Sequence, residues 1–129
     1  MGDPRAATGR AGEDAALAVY LRRGYRPVAR NWSCRIGELD LVVARGDTLV
    51  FCEVKSRRGV TFGGGYEAVT GRKRAKVRAV AEVFLLATGA MPSSIRFDVA
   101  SVDLLDGRRR SPRPARGDGS RVELFEDAF

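Results

Sequence analysis

Two carboxylates and a lysine fall at spacings that one β-hairpin would gather. Asp40 lies in the run Ile36–Ala44, Glu53 in the run Leu49–Lys55, and Lys55 follows Glu53 by two residues. Between the runs stands Arg45-Gly46-Asp47-Thr48. Gly-Asp tolerates the positive φ of a primed two-residue turn, so Gly46-Asp47 is the expected reversal. That turn sets Asp40 opposite Glu53, and Glu38 opposite Lys55. Side chains alternate along a strand, so all four project from one face, while Leu39, Leu41 and Val43 meet Val50, Cys52 and Val54 on the other. Directly opposed carboxylates repel, and a cation between them offsets the repulsion. Oxygen donors suit a hard divalent ion, Mg²⁺ or Mn²⁺. Such an ion stabilises charge on a phosphate and acidifies a bound water. Lys55, on the same face, is placed to orient or deprotonate that water. The plainer reading of the same four residues is a solvated polar face at the end of a hairpin.

The elements around the hairpin follow from periodicity and punctuation. A helix is expected from about Arg10 to Arg23, stopped by Gly24 with Pro27 close behind, and residues 1–9 are expected to fray. Its stripe of Glu13, Leu17 and Tyr20 turns Glu13 toward the sheet. Near a helix N-terminus a carboxylate is also favoured by the helix dipole alone. Tyr25–Trp32 reads as a first strand, with Trp32 in the core or at its rim. Cys34 reads as part of a polar loop and Cys52 as a small buried residue. A loop containing Gly63-Gly64-Gly65 follows the hairpin; it lacks the Gly-Lys-Ser/Thr ending of a phosphate-cradling loop. A second helix is expected over about Glu67–Thr88, with Val69, Lys73, Val77, Val80, Phe84 and Ala87 facing inward. Arg72, Arg74, Lys76 and Arg78 then carry positive charge outward. Ile95–Leu105 alternates as a strand, with Arg96 and Asp98 a structural pair, and Val122–Phe125 makes a last edge strand. The order α-β-β-β-α-β-β describes an α/β protein built on a mixed β-sheet flanked by helices.

Composition narrows the chemistry. The chain has 129 residues, the size of a single domain, with 44% hydrophobic and 30% charged residues, as in ordinary globular proteins. It contains no histidine, which excludes Ser-His-Asp and Cys-His catalysis and His-ligated zinc. Two cysteines make neither a disulfide framework nor a cysteine-rich zinc site. No stretch has the length and apolarity of a membrane span or a signal peptide, so a cytoplasmic location with no membrane partner is expected. The net charge is +7, and the segment 106–121 holds six arginines (108, 109, 110, 113, 116 and 121) against Asp106 and Asp118. This basic loop or arm favours a polyanionic partner through counterion release. Arg108, Arg109 and Arg110 are the expected nucleic-acid contacts there, and Arg57 and Arg58, directly after Lys55, are expected to meet phosphate. Lys73 is either a further phosphate contact or a lysine snorkelling at a helix start.

Taken in order, these segments resemble a family. Gly12-Glu13 with Ala16 comes first, then Arg30-Asn31-Trp32 ahead of Gly37-Glu38-Leu39-Asp40. Phe51-Cys52-Glu53-Val54-Lys55-Ser56-Arg57 follows, then Glu67-Ala68-Val69 with Lys73, Arg96-Phe97-Asp98-Val99, and a terminal Ala128-Phe129. The ordered set resembles the YraN-like bacterial family of the restriction-endonuclease-like superfamily, whose motif is Asp…(Asp/Glu)-x-Lys. The resemblance covers about Gly9 to Asp103 plus the C-terminus. It implies a nuclease-like fold similar to archaeal Holliday-junction resolvases, with Asp40, Glu53 and Lys55 as catalytic residues. It further implies Glu13, Asp40 and Glu53 as ligands of Mg²⁺ or Mn²⁺, DNA, including branched DNA, as partner, and a homodimer acting on a two-fold junction. Two features depart from the family pattern: the basic insert Arg108–Gly119, and Asp127 where Asn is expected before Ala128. The functional expectation is a nucleic-acid-binding protein acting as a metal-dependent, structure-specific DNA endonuclease. The alternative is a non-catalytic DNA-binding or protein-interaction module that keeps the nuclease fold.

Overall fold

The computed structural model describes residues 4–58, 71–104 and 121–129. Helix α1 (Pro4–Arg22) is followed by strands β1 (Arg26–Cys34), β2 (Gly37–Arg45) and β3 (Thr48–Arg58), helix α2 (Gly71–Thr88), and strands β4 (Ser94–Leu104) and β5 (Arg121–Phe125). The order α-β-β-β-α-β-β is the expected one. The five strands form one mixed sheet in the order β1-β2-β3-β4-β5. β1, β2 and β3 are an antiparallel meander, β3 and β4 run parallel, and β5 returns antiparallel to β4. A parallel pair needs a crossover, and α2 lies on that connection.

Each helix covers one face of the sheet. From α1, Ala15, Ala16 and Tyr20 pack with Leu41, Val43, Val50, Cys52, Ala100, Val102 and Leu104. Small residues bring this helix close: a Cβ on Gly12 would lie 2.8 Å from the Ser56 Cβ on β3, so the neighbouring Glu13 is carried up to the sheet. α1 begins at Pro4, where the fixed φ and missing N–H of proline suit a first turn; the expected start at Arg10 is therefore too late. It ends in a Schellman cap, with Gly24 at φ +88°, its N–H on the Leu21 carbonyl and the Tyr25 N–H on that of Tyr20. On the opposite face Val77, Val80, Ala81 and Phe84 of α2 recur at helical spacing. They pack with Val42, Leu49, Phe51 and Leu39. Phe84 meets Trp32 and Phe51 edge-on at 5.2 and 5.7 Å, which gives Trp32 a core role.

Two strand expectations are corrected. Leu39 packs under α2, away from Leu41 and Val43 on the α1 side. The β1–β2 ladder passes from Arg30↔Leu41 to Trp32↔Leu39 across Asn31, which holds φ +51°. A left-handed residue breaks strand alternation, and Asn is among the side chains that tolerate it. Cys34 ends β1 and packs against the α2-side core, so it is no loop residue. Arg108, Arg109, Arg110, Glu67 and Gly63–Gly65 lie outside the described residues, as does the side chain of Arg58. Among the described residues no helix is long and apolar enough to cross a membrane.

Candidate functional site

The hairpin register places the acidic pair. β2 and β3 pair from Arg45↔Thr48 to Leu41↔Cys52, around Gly46 at φ +58°. One residue further, Asp40 Oδ2 accepts a hydrogen bond from the Val54 N–H at 2.9 Å. Asp40 thus occupies a backbone donor at the end of the printed ladder and is held from its own side of the hairpin. Its carboxyl is a hydrogen-bonding neighbour of Glu53, which is only 3% exposed. Burial, the Asp40 charge and the Asp40 hydrogen bond push Glu53 up to about 8, against the opposing pull of Lys73 and Lys55. Lys73, in the first turns of α2, stands 3.8 Å from Glu53 Oε2. Lys55 is lowered from its ordinary value, first by burial and then by Lys73, with Glu53 and Asp40 opposing. Asp40, Glu53, Lys55 and Lys73 are therefore one electrostatic unit drawn from two strands and a helix.

Glu13 flanks this unit without joining it fully. Its Oε1 accepts from Asn31 Nδ2 at 3.0 Å and lies 3.7 Å from the Arg30 guanidinium, which also meets Asp14 at 2.7 Å. Its pKa is raised, first by burial; Asp40 and Glu38 raise it further, while Asn31 and Arg30 oppose. Glu38 does not pair with Lys55 as expected: it faces Ser33 on β1, whose Oγ donates to it at 3.2 Å. Arg57 continues β3 beyond Lys55, half-buried and in register with Asp103. Among the described residues no group of three or more acidic or thiol side chains is arranged to hold a metal ion. The pair Asp40–Glu53 nonetheless fits a hard cation that keeps several waters. It offers oxygen donors from two carboxylates, and it carries a burial and like-charge cost that a divalent ion would relieve.

Beside the pair opens a cavity of about 540 Å³ between the hairpin and α2. Lys76 lines it together with Lys73, so Lys76 does not belong to the outward-facing charge. Arg78 lies 4.8 Å over the Phe97 ring and Arg74 5.9 Å over Phe129, which turns both toward the C-terminus. Asn31 and Lys76 are the site residues that periodicity missed. The only signal for Asn31 was its type, since Asn is enriched at positive φ.

Fold and site together define an α/β protein in which a buried acidic pair and two lysines meet where a hairpin opens. The chain belongs to the uncharacterised protein family UPF0102, whose model matches residues 12–102. That match runs from Gly12 to Val102 and so contains Glu13, Asp40, Glu53, Lys55 and Lys73. The chain is similar to a UPF0102 protein of Pelotomaculum thermopropionicum, 43% identical over 129 residues and covering all of both chains. It is also similar to one of Frankia alni, 50% identical over 123 residues (95% of this chain, 94% of the relative). A third, from Pseudomonas paraeruginosa, is 46% identical over 122 residues (94% and 90%).

Proposed function

We propose that the protein binds DNA and hydrolyses its phosphodiesters with a divalent cation, Mg²⁺ or Mn²⁺, held by Asp40 and Glu53, on a restriction-endonuclease-like fold. The observation that carries this reading is the buried Glu53 kept beside Asp40, with Lys55 and Lys73 on the same pair. A like-charged buried pair is costly, and such arrangements concentrate where a charge must be received. The bound ion supplies charge stabilisation and an acidified water. Asp40, fixed through the Val54 N–H, presents its carboxylate from a rigid strand. Lys55, whose ammonium is weakened by burial and by Lys73, is the group to orient the attacking water and take its proton. Lys73 holds Glu53 and faces the developing phosphate charge. Arg57 and the basic segment 106–121 contribute phosphate contacts that position the strand.

A second reading, a nucleic-acid-binding or protein-interaction module without turnover, is favoured by one observation: among the described residues no third acidic or thiol side chain converges on the pair. The two readings separate by incubating the protein with branched, flapped, nicked and linear DNAs in Mg²⁺, Mn²⁺ or EDTA. The nuclease reading expects metal-dependent cleavage of at least one substrate, lost on Asp40→Asn and Lys55→Ala. Absence of cleavage across the panel, with no Mg²⁺ or Mn²⁺ binding by calorimetry, establishes the module instead.

A further inference from the structure

The cavity beside the acidic pair has two unlike walls. Val77 and Val80, one turn apart on α2, give an apolar flank. Ser33, Glu38 and Lys76 give a hydroxyl, a carboxylate and an ammonium on the other sides, and Asp40, Glu53 and Lys73 stand at one end. The floor is kept clear by Gly37, where a Cβ would lie 3.0 Å from Val80 Cγ2 and 3.1 Å from Lys76 Cε. A volume of about 540 Å³ is in the range of sites that enclose one small organic ligand.

We propose that this cavity is a nucleoside subsite, which receives one unpaired nucleotide whose phosphate rests at Asp40, Glu53, Lys55 and Lys73. The inference rests on the nuclease reading above and extends it to the substrate class: DNA with unpaired nucleotides rather than intact duplex. The chemistry of the walls matches that ligand part by part. A base has a flat apolar face for Val77 and Val80, and an edge of donors and acceptors for Ser33, Glu38 and Lys76. Its phosphate carries the charge that the lysines and a cation at the carboxylates would receive. A base inside a duplex is stacked and paired on both sides, so a cavity of this size admits it only when it is out of the stack. Apolar side chains flanking an extruded base, with polar groups reading its edge, are how such pockets work.

The test is a titration of the full chain followed by methyl NMR, with Mg²⁺ present. The probes are thymidine 5′-monophosphate and deoxyribose 5-phosphate, which share the sugar phosphate and differ in the base. The Val77 and Val80 methyl signals are expected to move with the nucleotide and not with the base-free probe. In parallel, fluorescence anisotropy should show single-stranded oligonucleotide bound at least about tenfold more tightly than blunt duplex of the same length. Ser33→Trp fills the cavity from an exposed strand position and should remove both effects while leaving duplex binding and melting temperature unchanged. Lys76→Ala, which needs no repacking, should weaken the nucleotide titration alone. Equal shifts with the two probes, or equal affinity for paired and unpaired DNA, overturn the subsite; DNA cleavage would then still support the nuclease reading. Base-dependent shifts in a protein that cuts no DNA support the subsite and overturn the nuclease.

Discussion

Two buried carboxylates of the sheet are treated in opposite ways. Asp98 is 0% exposed, and every requirement of its charge is met. Arg96 meets it with two hydrogen bonds of 2.9 Å, Tyr20 donates its hydroxyl at 2.6 Å, and the Asp127 N–H donates at 3.0 Å. Glu53, at 3%, has Lys73 at 3.8 Å and a like-charged neighbour, Asp40. The Asp98 network joins α1, β4 and the C-terminal turn, with Arg96 also reaching Glu126 at 2.9 Å. It is a structural device, a buried charge whose partners satisfy it. The Glu53 cluster leaves charge unsettled in a place open to a ligand. Completeness of partnering, not burial, separates the two, and it marks the second as the site.

The sharpest way to break the comparison is through activity. Asp40→Asn and Lys55→Ala should each lower cleavage by at least about a hundredfold, while Asp98→Asn, in a protein that still folds, should leave the chemistry intact. Only Asp40→Asn should weaken metal binding by calorimetry, and equal residual cleavage in both site variants would point to a contaminating nuclease. Next in size is stability. Asp98→Ala strands Arg96 and the Tyr20 hydroxyl and should cost about 3 kcal/mol in urea unfolding. A cost no larger than that of an average surface substitution would refute the structural role of the network.

A smaller effect has the opposite sign. Because the folded state raises Glu53 above its ordinary value of 4.5, it binds that proton more tightly than the unfolded chain. The stabilising contribution is complete below about 4.5 and is lost as pH rises through about 8. Glu53→Gln should therefore gain on wild type across that window, by roughly 1–2 kcal/mol at its upper end. Added Mg²⁺ should close the gap by stabilising wild type alone. Wild type and Glu53→Gln with parallel stability–pH curves would remove the strain argument. The smallest effect concerns the surface. DNA affinity should fall with rising salt, and deletion of 108–116 should flatten that slope without altering the fold. A salt-insensitive affinity would make the basic segment a solubility feature.

What the sequence determined is what local rules control. The Gly46-Asp47 turn and strict alternation set the hairpin register, which brings Asp40 beside Glu53, because a two-residue turn leaves only one pairing. Helical spacing identified Val77, Val80 and Phe84, and the proximity of Arg96 to Asp98 along one strand gave their pairing. Tertiary structure decided the rest. Leu39 changes face because Asn31 adopts a left-handed conformation, and Asn31 also holds Glu13. Glu38 turns to Ser33 because β1 lies beside β2 at that point and β3 does not. Lys73 reaches Glu53, and Lys76 the cavity, only because the crossover lays α2 across the hairpin. Tyr20 finds Asp98 across 78 positions of chain. Side-chain alternation and turn geometry act between near neighbours and can be read along a sequence. The balance of charge around a buried carboxylate depends on which distant elements the packed core brings against it, and no local pattern encodes that.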